Sequence, residues 1–392
     1  MSIGLLCDYL EIDEMGIKAT AENLGMDLTY IPFRKISIKI DNDGYTVRSK
    51  GKDYSETLKN TQVFINRAQS KNRRLMATSF LEAIGKPVIN PLSIEFLCFS
   101  KLRTLTELHK NGIKLPKTMF IPCDPREKTK DGYEVRNEEE IAELIKQELG
   151  ENDVVVKPDA GTHGRGVELA ENPKELLKIL SEIQPSIINP VGVLAQEFVK
   201  KWFYDLRIIV AKEKGKKPYC YPKAMARAGL SDFRTNTALG NFVFDVALPQ
   251  YIRDVAVKCG EAVGKNCEAW LLALDAMISI GEDKVADDDY VRAELEKLAK
   301  PFEFFKKVKA DPAKKRNFQG WNKRLEEAFK NYQSSEAYHN VREIINESVA
   351  KNKSNVLFHE ANSCPEFWEQ TRLATGANLA EYLLACAKSL ID

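Results

Sequence analysis

Short apolar runs alternate with amphipathic stretches along this chain, and the alternation changes character as the chain proceeds. The opening SIGLLCDY predicts a buried strand, the stretch Glu11 to Leu24 a helix, and Leu28 to Pro32 a second strand. A third strand, Val63 to Asn66, precedes a helix from Arg73 to Ile84 and a short strand at Pro87 to Asn90. Strands separated by helices favour parallel pairing, so residues 1–95 are predicted to form a small parallel α/β lobe.

A helix SKLRTLTELHKNG carrying Lys101 comes next, with Gly112 as its stop, followed by a strand at Thr118 to Ile121. A polar loop, Asp124 to Arg136, leads to the helix Glu138 to Leu149, the strand Val154 to Lys157, a glycine-rich turn and the helix Pro173 to Leu180. From Val193 the pattern is β-rich: Leu194 to Phe198, Leu206 to Ala211, Lys223 to Arg227 and Leu271 to Ser279, with the helix Tyr251 to Val263 among them. Val356 to Glu360 is the last strand, and the helix Asn378 to Ser389 follows.

Between Ile280 and Asn355 the strand signal gives way to charged, helix-forming sequence, which predicts a helical insertion between two strands that belong side by side. Asp311-Pro312 reads as a helix start and Ser334 as a cap. The basic stretch Lys306, Lys307, Lys309, Lys314, Lys315, Arg316, Lys323 and Arg324 reads as a solvated helical face; a docking surface for an acidic partner is the alternative.

A chain of 392 residues with 44% hydrophobic content can bury a sizeable core, in two or three lobes. A formal charge of +1 provides no overall field for nucleic acid or an anionic membrane, and neither partner is expected. The eight cysteines form no CxxC pair, and no apolar run is long enough to span a bilayer, so free thiols in a reducing cytoplasm are expected.

The chemistry lies in polar residues set in or beside the apolar runs. VVVKPDAGTHGRGV is a strand ending in Lys157 and then a turn of Gly161, Thr162, His163, Gly164, Arg165 and Gly166. Glycines let a backbone approach a polyanion, and successive N–H groups can face its oxygens. Gln196-Glu197-Phe198, Asp205-Leu206-Arg207, Phe233-Arg234-Thr235-Asn236, Leu274-Asp275 and Glu360-Ala361-Asn362 follow in order. A nucleoside triphosphate needs cations and N–H groups for its phosphates, backbone contacts for its base and carboxylates for Mg²⁺. Lys101 and Lys157 are candidate phosphate cations, and the strand around Gln196 to Val199 is a candidate base contact. Asp275, Glu360 and Asn362 are candidate oxygen donors, with Glu360 and Asn362 on one face of a strand by period-two alternation. Taken singly, each has an ordinary structural reading: Asp205 and Arg207, for example, form a same-face ion pair, and the glycine turn a hairpin loop.

The ordered set resembles the ATP-grasp carboxylate–amine ligases, in the branch of the RimK-like ribosomal-protein glutamate ligases and the LysX-like α-aminoadipate carrier-protein ligases. The resemblance runs through Asn66-Arg67, FLEAIGKPVIN, Ser100-Lys101-Leu102-Arg103, the glycine loop, FRTNTALGN, HEANSCPEF and Thr375-Gly376. FRTNTALGN and Pro365-Glu366-Phe367 look closer to the LysX-like side. It implies an α/β class ATP-grasp fold with α+β lobes, ATP being held between two sheets. Residues 1–95 would form the lobe preceding the grasp, 96–190 the central lobe and 191–392 the C-terminal lobe, interrupted at about 281–355 by the insertion.

By the same resemblance Lys101 and Lys157 bind ATP phosphates under the glycine loop, Gln196 to Phe198 form the adenine hinge, and Asp205 and Arg207 belong to the nucleotide site. Asp275, Glu360 and Asn362 would hold two Mg²⁺ ions, for which Mn²⁺ can substitute, and Arg227, Arg234 and Asn236 would act as catalytic residues at the transferred phosphoryl group. The implied reaction activates a carboxylate as an acylphosphate that an amine converts to an amide, with an amino acid as one substrate and a small carboxylate, a peptide or an acidic carrier protein as the other. A homo-oligomer, dimer or tetramer, is expected. A non-catalytic ATP-binding module and a small-molecule kinase of the same fold are the competing readings. The insertion and Glu366, which stands where the RimK-like pattern has glycine, are departures from the family pattern.

Overall fold

The structure, a computed structural model, describes residues 2–150, 153–161, 164–183, 192–230, 232–234 and 240–391. Its strands sort into separate sheets within a mixed α/β chain. Ser2–Cys7 runs parallel between Asp27–Pro32 and Val63–Asn66, and Val88–Ile89 extends the sheet. The helices Ile12–Asn23 and Lys71–Ala83 make the crossovers that parallel pairing requires.

A three-stranded antiparallel ribbon, Ser37–Asp41, Gly44–Ser49 and Lys52–Asp53, lies in this lobe and was not predicted. Much of it faces solvent, with Ile40 73% exposed, so its apolar pattern is weak. The turn around Asp43 and Gly44, the latter at φ 120°, carries the signal instead.

The second sheet is antiparallel, in the order Glu168–Ala170, Val154–Lys157, Val193–Glu197, Thr118–Ile121. Helices Glu138–Leu149 and Pro173–Glu182 pack Ile141, Ile145, Leu176 and Leu180 against Val154, Val156 and Val193 in a core of their own. Val193–Glu197 pairs inside this sheet, so the chain crosses to the third sheet after Glu197 and not at 190–191 as expected. The correction has a physical reason: pairing follows register with Val154–Lys157 and Thr118–Ile121, which lie far off in sequence.

The third sheet runs Phe242–Ala247, Lys223–Ala228, Tyr204–Lys212, Trp270–Ile278, Val356–Asn362, with Tyr219–Cys220 paired to Tyr204–Lys212. Trp270–Ile278 and Val356–Asn362 are antiparallel neighbours, so the insertion is a detour between adjacent strands. Its helices Asp288–Lys309, Phe318–Gln333 and Glu336–Lys351 bury Phe302, Phe305, Trp321, Phe329, Tyr332 and Tyr338. The Tyr332 hydroxyl donates to the Val243 carbonyl (3.1 Å), and the Tyr338 hydroxyl to the Asp245 carboxylate (3.0 Å).

Two expectations for the insertion are corrected, and its basic stretch gains partners. Asp311-Pro312 forms a turn, its carboxylate taken by Ala313 N–H and Arg324, and the next helix starts after Asn317. Ser335, not Ser334, caps Glu336–Lys351; Ser334 ends the preceding helix. The basic stretch stays largely at the surface, as a solvated helical face would, with Lys306 paired to Glu303, Lys309 and Lys314 to Glu369, Lys315 to Glu11 and Arg324 to Asp311.

The first and third sheets are tied together through buried polar side chains. Asn90 donates to the carbonyls of Leu271 (2.8 Å) and Ser363 (2.6 Å) and accepts from Leu271 N–H. Arg67 pairs with Asp13 and Glu14 and donates to the Pro365 carbonyl (2.9 Å), while Asp13 accepts from the N–H groups of Phe367 and Trp368.

Candidate active site

Strand alternation decides what faces the space between the sheets. Asp205 and Arg207, Met225 and Arg227, and Asp275 and Met277 are pairs two residues apart, and all six line a cavity of about 600 Å³. Register turns these pairs into rungs. Arg207 stands opposite Asp275, Asp275 opposite Glu360, and Asp205 opposite Arg227. Arg207 grips Asp275 with Nε (2.9 Å) and a terminal nitrogen (3.0 Å), and Arg227 holds Asp205 (2.6 Å) while reaching Asp275 (3.5 Å). The same-face pairing of Asp205 with Arg207 is therefore not made; each finds its partner across the strands, where side chains are closest.

Burial opposes ionisation of Asp275, but Arg207 and Arg227 outweigh it and hold the carboxyl well below its usual range. Glu360 is lowered too, Lys101 overcoming the effect of burial. A bulge places His359 as an extra residue between the pairs Asp275–Glu360 and Ala276–Phe358, so His359 and Glu360 both line the cavity, with Asn362 beyond. Burial, reinforced by Lys157, lowers His359 to about 4, which keeps its ring neutral near neutral pH.

The donor set fits Mg²⁺ in chemical type: two carboxylates and an amide oxygen source on neighbouring strands. Among the described residues no group of three His, Cys, Asp or Glu side chains is placed to hold a metal ion, and the expected set has Asn362 as its third member. The Asn362 amide nitrogen lies 3.4 Å from Asp275. Among the described residues the Glu360 carboxylate has neither hydrogen bond nor ion pair, which leaves its oxygens available to a cation.

The facing wall comes from the second sheet. Lys157 is buried and donates to the Gln196 side chain (2.7 Å), which in turn donates to Thr118 (2.7 Å). Burial and the nearby Lys101 lower Lys157 to about 7. Lys101 opens the helix Lys101–Lys110 and donates to the carbonyl of Gly161 (3.1 Å), tethering the start of the glycine turn. At Gly161 a Cβ would sit 2.5 Å from the Pro158 ring, and Gly164 and Gly166 adopt φ of 70° and 67°, where other residues are strained. Gly161, Gly164 and Arg165 line the cavity; Gly166 shapes the turn without lining it.

Gln196, Glu197 and Phe198 reach the cavity as well. The N–H groups of Glu197 and Phe198 are already bonded to the carbonyls of Lys117 and Asp153, and the Glu197 carboxylate accepts from Lys117 N–H (2.8 Å). These two N–H groups are thus sheet and loop contacts, unavailable to a base edge. Arg234 lines the cavity and bonds Asp232 and the Val167 carbonyl, joining its loop to the glycine turn. Thr162, His163 and Asn236 lie outside the described residues.

Reasoning from sequence missed Lys71, Arg74, Lys201 and His359, all cavity-lining. Lys71 and Arg74 sit in a basic run, SKNRR, that opens a helix at a strand end, and that was their available signal. Arg372 bonds Glu326 and Asn322 of the insertion.

A RimK-like ATP-grasp domain model matches residues 99–269. The α-aminoadipate–LysW ligase LysX of Sulfurisphaera tokodaii is 28% identical over 265 residues, covering 67% of this chain and 82% of that protein. Its namesake from Sulfolobus acidocaldarius is 30% identical over 234 residues, covering 59% of this chain and 75% of that protein. In fold, the macrocyclase MdnC of Microcystis aeruginosa, solved with its precursor peptide MdnA, aligns with a TM-score of 0.55 at 12% identity, covering 100% of this chain and 99% of its own. No helix among the described residues is long and apolar enough to cross a membrane.

Proposed function

Because the chain belongs to the RimK-like ATP-grasp family and is an ATP-dependent, ADP-forming acid–amino-acid ligase, we propose that its cleft activates a carboxylate as an acylphosphate and passes it to an amine, with an acidic α-amino acid as one substrate. The observation that carries this reading is the convergence of Lys101, Lys157 and the glycine turn on one wall with the Arg207–Asp275–Glu360 rung on the other.

In this proposal Lys101 and Lys157 take the phosphates, and Asp275, Glu360 and Asn362 hold two Mg²⁺ ions. When bound, Mg²⁺ neutralises the phosphate oxygens and fixes their direction. Arg207 and Arg227 keep Asp275 ionised and oriented, and Arg227 and Arg234 offer positive charge where the phosphoryl group moves. A substrate carboxylate oxygen attacks the γ-phosphorus as the bond to the ADP oxygen breaks. The amine nitrogen then attacks the acyl carbon, phosphate leaves and the nitrogen loses a proton. Alignment and charge neutralisation suffice, so no protein nucleophile is needed.

The test is ADP and phosphate release from Mg²⁺-ATP against glutamate, α-aminoadipate and other amino acids, singly and in pairs, with mass spectrometry of products. Release that depends on an amine, with a product one water lighter than its parts, is expected. Release without an amine, yielding a stable phosphorylated product, would replace the ligase with a kinase.

A further inference from the structure

We propose that Lys71 is a positioning residue of this cleft, whose ammonium holds the substrate carboxylate that receives the phosphoryl group. The proposal rests on the ligase reading above and adds a residue to it from the other lobe.

Lys71 begins the helix Lys71–Ala83 of the first lobe, just after the Ser70 cap. Its side chain lines the same cavity as Glu360, Lys101 and Lys157. The neighbouring cations of that helix are already used: Arg73 pairs with Asp8 (2.7 Å), and Arg74 pairs with Glu95 (2.7 Å). Lys71 has no hydrogen-bond or ion-pair partner among the described residues. Burial is the main influence on its ammonium and lowers its pKa, with Glu360 opposing that effect and Lys101 adding to it. A mostly buried, unpaired ammonium is costly unless something anionic arrives to meet it.

Two anions are expected in the cleft, the polyphosphate and the carboxylate that attacks it. Lys101 and Lys157 belong to the wall of the glycine turn, and Lys101 is fastened to it through Gly161. Lys71 comes from the first lobe, whose loop contacts run to Ser363 and Pro365, just past the Glu360–Asn362 donors. A carboxylate held from that direction has Glu360 and the phosphates before it, the arrangement that in-line attack requires. A lysine is suited to the task because its single charge fixes one oxygen and leaves the other free to attack.

The experiment compares wild type, Lys71→Met and Lys71→Arg, using hydroxylamine as the amine so that carboxylate activation is read as hydroxamate and ADP. Glutamate, α-aminoadipate and a peptide ending in glutamate are the carboxylate probes. For the probe wild type uses best, Lys71→Met should raise the carboxylate KM by roughly tenfold to a hundredfold, the loss expected for one charge-assisted hydrogen bond. The KM for Mg²⁺-ATP should stay near its wild-type value, and Lys71→Arg should recover most of the loss. An unchanged carboxylate KM overturns the assignment, as does a parallel loss of Mg²⁺-ATP affinity, which would make Lys71 a phosphate contact. Wild type that releases no ADP with any probe would instead overturn the ligase reading, and this proposal with it.

Discussion

At Glu360 an ionised carboxylate stands without a protein partner among the described residues while its strand neighbour Asp275 is held by two arginines. That asymmetry assigns the two acids different duties: Asp275 is fixed in place, and Glu360 is open to a cation. Glu360→Gln keeps the shape and removes the charge, so kcat should fall at least ~100-fold, with the Mg²⁺ requirement shifted to higher concentration, as a metal titration of ADP release would record. A variant retaining more than a tenth of the activity would remove Glu360 from the metal site. Lys157 makes a second test at this scale. Burial and Lys101 lower it to about 7, so above that pH it is largely neutral without nucleotide, whereas phosphate favours the charged form. Nucleotide binding should therefore take up protons at pH 8, and affinity should weaken as pH rises above 7. Calorimetry in buffers of different ionisation enthalpy measures the uptake; none would mean that Lys157 does not face the phosphates. That Glu360 and Asn362 share one face was legible from period-two spacing alone, and both line the cavity. His359 was not, because a bulge is a mismatch between two strands and neither strand's pattern contains it.

Among the elements, the helical insertion shows most clearly what a charge pattern leaves out. Its basic residues face solvent while the opposite face packs inward: Trp321 is fully buried, donates to the Val308 carbonyl (2.8 Å) and meets the Phe318 ring at 5.9 Å between centroids. Trp321→Ala should cost about 3–5 kcal/mol of stability, measured by denaturant unfolding, since a large cavity is left behind. A loss below ~1 kcal/mol would show that the helices are not part of the core. The partners of the basic residues were not legible for a simple reason: Glu369 and Glu11, which pair with Lys309, Lys314 and Lys315, lie outside the insertion and reach it only in the folded chain.

Across the whole molecule, the cleft exists because the first and third sheets are clamped together. Arg67 is central to that clamp, with Asp13, Glu14 and the Pro365 carbonyl around it, all buried. Arg67→Ala leaves two buried carboxylates uncompensated and should cost about 3–5 kcal/mol. Hydrogen exchange should speed up at the Phe367 and Trp368 amides, which donate to Asp13, while the core of Glu138–Leu149 and Pro173–Glu182 stays protected. Unchanged exchange at those amides would show that the lobes are held by other contacts.

The sequence by itself determined the elements and their faces: strands as apolar runs, helices by period and caps, and the order of lysines, glycines and oxygen donors that carries the family resemblance. These are properties of neighbouring residues, set by backbone geometry within a few positions. Only the tertiary structure decided that Val193–Glu197 joins the second sheet, that Arg207 belongs to Asp275, and that Lys71 of another lobe lines the same cavity as Glu360. Each depends on register or docking between segments far apart in the chain, where the free energy lies in a pairing and neither partner alone encodes it.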